Sequence, residues 1–321
     1  MKKIIFIFSF ICISLSLSAQ EITITVKDSV NNNTVAFATV LLQSGDKSIY
    51  AGYCSYDGTI VIDKNKEFDG VVFSCVGYTD KKILVNDLKD NVVYLSPGNY
   101  ELNEIVINSK RVIDTVLLGE FNEKKRGTLS LYEQNEVAVF FKNDLEKNVA
   151  LKTFLFKIWR IKYKTAIRLR LYKKRIFNTY YFSPNDPEKK KNYYNTVIPG
   201  DDLMGENIII YLEPQKKEII EVDFSKYNIQ MPKEGVFISV ECLAYYDKNG
   251  NIINPEKNKL SELEMHTTAL DNYCIKYTNI TRFWVNQIHH IKADYKYMIQ
   301  KDVPISILKA PTFGLKVLKI N

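Results

Sequence analysis

The sequence predicts an all-β protein: two β-sandwich modules in tandem behind an N-terminal export segment. Three observations carry this. Short runs that alternate apolar and polar residues recur along the chain, the period of half-buried strands. Aromatic residues are abundant, with 21 Tyr and 17 Phe, and such side chains suit a pleated surface. No stretch carries a clear helical apolar stripe, one short turn near 260–265 excepted. The 321 residues suit two domains at about 100–200 residues each.

Lys2 and Lys3 precede an apolar core over 4–17, and Ser18 and Ala19 lead into Gln20. This is the pattern of a cleaved signal peptide over residues 1–19. The core is short for a membrane helix, which needs about 20 apolar residues, and no other run approaches that length. Cys12 lies inside the core and no Cys stands directly after Ala19, so a lipoprotein anchor is not expected. The expected address is the periplasm, the outer-membrane surface or the exterior. Cleavage removes two lysines and no acid and takes the net charge from +7 to +5. That is too mild to call for nucleic acid. Cys54, Cys75, Cys242 and Cys274 then remain, each in an apolar run. Export permits disulfides, while burial as small core residues explains free thiols equally well, so a Cys54–Cys75 bridge stays open.

Residues 20–98 read as about seven short strands. Ile22, Ile24 and Val26 alternate with Thr23 and Thr25; further runs follow at 36–42, 49–54, 59–62, 71–75, 81–85 and 92–95. Asp57-Gly58 between two of them predicts a hairpin, because Gly accepts the positive φ of a tight turn. The combination of Ala36-Phe37-Ala38-Thr39-Val40, Tyr56-Asp57-Gly58 and Phe73-Ser74-Cys75-Val76-Gly77-Tyr78 resembles the carboxypeptidase-regulatory-like, transthyretin-like β-sandwich of bacterial envelope proteins. The resemblance implies a small antiparallel accessory sandwich without catalytic residues. Leu102 to Ile107 is similar to a stretch that follows this module in TonB-dependent transporters. Here the chain left is too short for a plugged 22-stranded barrel, so transport is not implied.

Residues 99–127 read as an extra strand and a charged linker, and 128–321 as the second module. Strands are expected at 136–142, 151–163, 166–172, 207–212, 217–223 and 235–243, then at 282–285, 295–299, 305–308 and 315–320. The strands 151–163 and 166–172 form the clearest pair, with a bulge near Ile158 where the apolar phase changes. Their polar side is basic: residues 151–175 hold ten Lys or Arg and no acid. Arg168 and Arg170 are therefore candidate anion-binding residues, and a plain solvated sheet face is the simpler reading. A long loop is expected over 182–202. In it Tyr193 and Tyr194 are candidate stacking residues for a sugar or partner, or else pack the loop onto the sheet. Turn and strand signatures over 150–243, such as Pro199-Gly200-Asp201-Asp202 and Pro232-Lys233-Glu234-Gly235, resemble secreted jelly-roll modules, which implies a larger jelly-roll-like β-sandwich and no particular activity.

Only His266, His289 and His290 are available to a metal, without a ligand-spaced motif, and the last two would point to opposite faces of a strand. No nucleotide loop or nucleophile elbow occurs. No catalytic residue, metal or cofactor is therefore expected. The leading expectation is a non-catalytic envelope binding, adhesion or scaffold protein with a protein or polysaccharide partner. An envelope carbohydrate-active enzyme and a small outer-membrane β-barrel over 128–321 are the alternatives. Oligomeric state is not legible.

Overall fold

A computed structural model describes residues 21–63, 66–88, 91–98, 112–145, 148–182, 191–256, 259–277 and 283–320. The export segment 1–19 and the 102–107 strand expected from sequence lie outside these. The chain is all-β and divides into two compact units, Met1–Gly98 and Asn99–Asn321.

The first unit contains β1 (Glu21–Asp28), β2 (Thr39–Ser44), β3 (Lys47–Tyr53), β4 (Thr59–Asp63), β5 (Gly70–Ser74), β6 (Lys81–Leu84) and β7 (Val92–Leu95). They form one sheet in the order β4-β1-β7 and a second in the order β3-β2-β5-β6. Period-two alternation turns Ile24, Val26, Ile60, Ile62, Val93 and Leu95 of the first sheet onto Val40, Leu42, Val71 and Phe73 of the second, in one buried cluster. Cys54 and Cys75 sit in that cluster without a disulfide between them; burial pushes the Cys54 thiol up to about 12. Two expectations change. The β1–β7 pair is parallel, so the module is not purely antiparallel. The Asp57-Gly58 turn forms, with Gly58 at φ +77°, but it joins strands of different sheets: β3 pairs with β2, and β4 with β1. Turn chemistry reverses the chain locally and leaves the choice of pairing partner to the core.

The second unit contains β8 (Val112–Leu118), β9 (Gly127–Ser130), β10 (Asn135–Phe141), β11 (Asn148–Ile161), β12 (Lys164–Phe182), β13 (Lys191–Asp202), β14 (Ile208–Leu212), β15 (Gln215–Asp223), β16 (Val236–Tyr246), β17 (Ile252–Ile253), β18 (Ser261–Thr267), β19 (Tyr273–Tyr277), β20 (Val285–Asn286), α1 (Gln287–Asp294), β21 (Lys309–Pro311) and β22 (Phe313–Ile320). One sheet runs β21-β18-β11-β22-β8, with β15 on β11 and β9 on β18. The other runs β13-β12-β16-β10-β19-β20, with β14 on β12 and β17 on β16. Residues 112–118 are thus a sheet strand on β22, not linker. The expected bulge in β11 is present between Ile158 and Arg160, yet β11 and β12 do not pair: they belong to different sheets. Both carry long apolar phases, and each buries its phase against the opposite sheet instead of its chain neighbour.

Register decides what the sheets bury. On β16, Val236, Ile238 and Val240 stand opposite Phe141, Val139 and Val137 of β10. Across the other edge, Ile238 and Val240 stand opposite Leu171 and Leu169 of β12. All are buried. In the facing sheet Phe154, Phe156 and Phe313 pack ring to ring, with centroids 5.1–6.1 Å apart. Gly119 at φ +88° fits between the Phe141 ring and the Phe313 carbonyl, which brings the two sheets together.

Two of the late expected strands, 295–299 and 305–308, give way to helical turns, while 315–320 stands as part of β22. Residues 287–294 form α1, capped by the Asn286 side chain, which accepts from His289 N at 3.0 Å. A π-turn follows at Tyr295–Ile299, and a 3₁₀ turn covers Ile305–Ile307. Of segment 260–265, all but Leu260 belongs to β18, Ser261–Thr267. The cap satisfies an orphan helical N–H, and burial of Ile288 and Ala293 anchors a helix too short to show a stripe. None of the described helices is long and apolar enough to cross a membrane.

Gly235, at the entry to β16, has φ +102°, and a Cβ there would stand 2.3 Å from the Phe141 carbonyl oxygen. Gly235→Ala is expected to destabilise the chain by roughly 3 kcal/mol or more, through positive φ and overpacking together. Urea denaturation checks this; a loss below about 1 kcal/mol would show that the turn relaxes freely.

Candidate functional site

Two clusters of polar and aromatic side chains stand out, and the sequence candidates divide between them. The first is a buried charged row. On the face of β16 opposite the apolar one, Glu241 stands across from Arg168 of β12 and from Glu136 of β10. Glu136 stands across from Lys276 of β19. Arg168 and Glu241 are 1% and 2% exposed. Arg168 donates to Glu241 Oε2 from Nε at 2.9 Å and from Nη2 at 2.8 Å. Glu136 accepts from Ser239 Oγ at 2.6 Å and from Tyr172 Oη at 2.7 Å, and pairs with Lys276. Arg170 is half-buried one step along, 4.0 Å from Asp202.

The basic face expected to be solvated is therefore folded inward at Arg168 and Arg170. Alternation showed that they share a face; it did not show that the face is covered. Burial, then Glu136 and Asp202, hold the Tyr172 phenol protonated well above its usual range against the opposing charge of Arg170. Burial pushes the Asp202 carboxyl up to about 6, with Arg170 acting against it. Glu136 and Glu241 bring two carboxylates onto adjacent strands, but each is buried and held by a cation.

The second cluster is an open cleft of ≈ 390 Å³. The expected loop 182–202 is largely strand: β12 and β13 pair from Tyr172↔Asp202 to Phe182↔Lys191. Beyond Lys173, β12 has left β16, so the hairpin continues as a two-stranded ribbon. It leans over the β19–β20 end of its own sheet, where the Val197 carbonyl accepts from Asn286 Nδ2 at 2.9 Å. Phe177, Thr179, Tyr181, Tyr194 and Thr196 of the ribbon line the cleft opposite Phe283, Trp284, Asn286 and His290.

Tyr194 stacks on Tyr181 at 5.8 Å and meets His289 at 4.7 Å. Tyr181 hydrogen-bonds the His290 imidazole, which lies 3.8 Å from Asp294. Burial first, and Asp294 after it, keep the Tyr181 phenol far above its ordinary range. Burial lowers His289, so its ring favours the neutral form. Thr196 is 6% exposed, and its Oγ1 has no hydrogen-bond partner among the described residues. His289 and His290 come from a helix, not the strand expected. Trp284 lines the cleft and also meets Tyr172 of the charged row edge-on at 5.6 Å.

No protein-family model, curated protein or solved structure matches the chain. The chemistry of the two clusters has to be read from their geometry.

Of the four sequence candidates, only Tyr194 reaches the cleft. Tyr193, its neighbour on the strand, points to the other side, is 61% exposed and packs on Tyr180 at 5.7 Å. Phe177, Tyr181, Trp284 and Asn286 were not singled out from sequence, and His290 was weighed only as a metal ligand. The alternation of Phe177, Thr179 and Tyr181 was the available signal. Among the described residues no three His, Cys, Asp or Glu side chains gather as metal ligands.

Two outcomes follow for the charged row. Arg168→Met strands Glu241 in the interior and is expected to cost about 3–5 kcal/mol, while Arg168→Met with Glu241→Leu recovers most of it. A double-mutant cycle in urea reads the difference, and additive losses would count against a coupled pair. For Asp202 the folded value of about 6 stands above the ordinary carboxyl value of 3.8. Its stabilising contribution is full below pH 3.8 and is lost as pH rises through 6, on the order of 2–3 kcal/mol. Asp202→Asn should thus gain stability relative to wild type between pH 4 and pH 7; a pH-independent difference would contradict this.

Proposed function

We propose that the protein is an exported envelope binding protein, and that its second unit holds carbohydrate in the cleft between the β12–β13 ribbon and α1. The observation that carries this is the lining itself. Aromatic rings from two walls converge on one opening, with Thr179, Thr196, Asn286 and His290 among them. A sugar ring presents C–H faces that suit the electron-rich faces of aromatic rings. Its hydroxyls need a few fixed polar partners in an otherwise apolar site. The buried Thr196 Oγ1, unpartnered among the described residues, supplies one, because a ligand hydroxyl would remove the cost of leaving it unbonded.

Glycoside hydrolysis would call for two carboxylates flanking the scissile bond; among the described residues the lining itself has none, and Asp294 stands behind it against His290. The export pattern at residues 1–19 and the envelope-module resemblance of residues 20–98 support the address.

Trp284 makes the cleft observable. In a Trp159→Phe background, which leaves Trp284 as the single indole, saturating oligosaccharide is expected to shift tryptophan emission. Tyr194→Ala should weaken binding about tenfold or more, the size of an aromatic hot spot, and Tyr193→Ala by less than about twofold. Loss of binding to the same degree in both variants would move the ligand off the cleft.

A further inference from the structure

We infer that the outer face of the β12–β13 ribbon docks on an anionic phospholipid surface, Ile176, Tyr180 and Tyr193 entering the headgroup layer and Lys174 and Lys191 meeting the phosphates. This surface is separate from the cleft, and the inference does not rest on the carbohydrate reading. Register defines the face. Ile176 stands across from Val197, Asn178 from Asn195 and Tyr180 from Tyr193. Residues 174, 176, 178 and 180 of β12 therefore share one side with 191, 193 and 195 of β13. Phe177, Thr179, Tyr181, Tyr194 and Thr196 take the other side and line the cleft. Asp294 stands on that cleft side, against His290 and Tyr181.

On the outer face Ile176 is 65%, Tyr193 61% and Tyr180 42% exposed; Tyr180 also borders the cleft. Apolar side chains exposed singly are ordinary, whereas three on one face of a two-stranded ribbon form a patch. The polar pair between them is partly self-satisfied, Asn178 Nδ2 donating to Asn195 Oδ1 at 2.9 Å. That bond lowers the cost of taking the face out of water. The ribbon also carries one sign of charge. Residues 173–182 and 191–200 hold Lys173, Lys174, Arg175 and Lys191 and no acid, while 183–190 hold two acids and two lysines. All four of these cations are exposed.

Charge and size choose the occupant. A second copy presenting the same ribbon would bring like charges together. A protein partner of ordinary stability needs roughly 800 Å² a side, and from Ile176 to Tyr180 the face is about 13 Å long and two strands wide. A lipid surface sets no such minimum. It supplies the negative phosphates that attract Lys and Arg, and it accepts Tyr at headgroup depth, with Lys stems lying along apolar surface and their ammonium groups in water.

The test is flotation with vesicles of phosphatidylethanolamine and phosphatidylglycerol, or of phosphatidylcholine alone. It uses the chain from residue 20 onward, because the apolar run over 4–17 would itself partition into lipid. Expected is binding to the anionic vesicles at least about tenfold above the neutral ones, weakened by salt. Lys174→Gln and Lys191→Gln should each lower it about fivefold, the contribution of one cation near an anionic surface. Ile176→Thr with Tyr193→Thr keeps strand-forming residues in place and should lower it about tenfold through lost apolar burial, with the salt dependence unchanged. Neither residue lines the cleft, so sugar binding should survive this double variant. All the substituted side chains are exposed, and circular dichroism should stay as in the parent. Weakening by the lysine variants with the double variant silent would mean attraction without insertion, and would overturn the inference. Equal retention of the chain by soluble polyglutamate would do the same, as would a lipid-free dimer that the double variant abolishes. Binding to neither kind of vesicle would also overturn it while leaving the carbohydrate reading standing. Vesicle binding by a chain that takes no sugar would support this inference and count against the cleft alone.

Discussion

The row Arg168–Glu241–Glu136–Lys276 is the constraint to which the second unit answers. Four charged side chains from four adjacent strands fall side by side because the registers of β12, β16, β10 and β19 place them so. Buried charges are tolerated only when paired and hydrogen-bonded. A slip of one residue on any of these strands would turn its charges into the apolar layer and its Val, Ile and Leu into the polar one. The ion pairs contribute little net energy beyond what an apolar replacement would give. What they add is a penalty on every wrong register.

A charged face cannot be buried by the opposite sheet, whose contribution is a stack of Phe rings. It is covered by the sheet's own extension. β12 continues past β16, turns back as β13 and leans over β19 and β20, where Asn286 ties its Val197 carbonyl down. Asn286 also caps α1, so one side chain fixes both the ribbon and the helix that face each other across the cleft. Trp284 occupies the junction. One of its neighbours is Tyr172 of the charged row, and Lys276 lies 4.8 Å from its ring centre, while the same side chain lines the cleft. The interior and the opening therefore share a wall.

Much of the strand content was legible because alternation is a local property. Val137, Val139 and Phe141, or Ile167, Leu169 and Leu171, declare a strand without any knowledge of its partners. What alternation cannot declare is coverage. Arg168 and Arg170 alternate with Leu as solvated residues do, and only the ribbon, formed from residues expected to be loop, removes them from water. Adjacent Tyr193 and Tyr194 illustrate the same limit at the cleft: once the segment is a strand they must part, one into the opening and one away from it. The helical end was missed for a different reason. Tyr295 and Tyr297 favour strands intrinsically, and the decision for helix rests on a cap at Asn286 and on burial of Ile288, which are tertiary facts. In the first unit Asp57-Gly58 specified the turn correctly, while its strands found partners in separate sheets.

The parallel pairing of β1 with β7 places the earliest and latest strands of the first unit side by side, at Thr25↔Val92 through Asp28↔Leu95. Such a pairing closes a loop of nearly the whole module, and long-range pairings of this kind come late because their entropy must be spent before their bonds form. During synthesis the three-stranded sheet cannot be completed until residue 95 has emerged. The module is thereby held back from premature closure for as long as its own chain is still arriving, a timing written into strand order and independent of any partner.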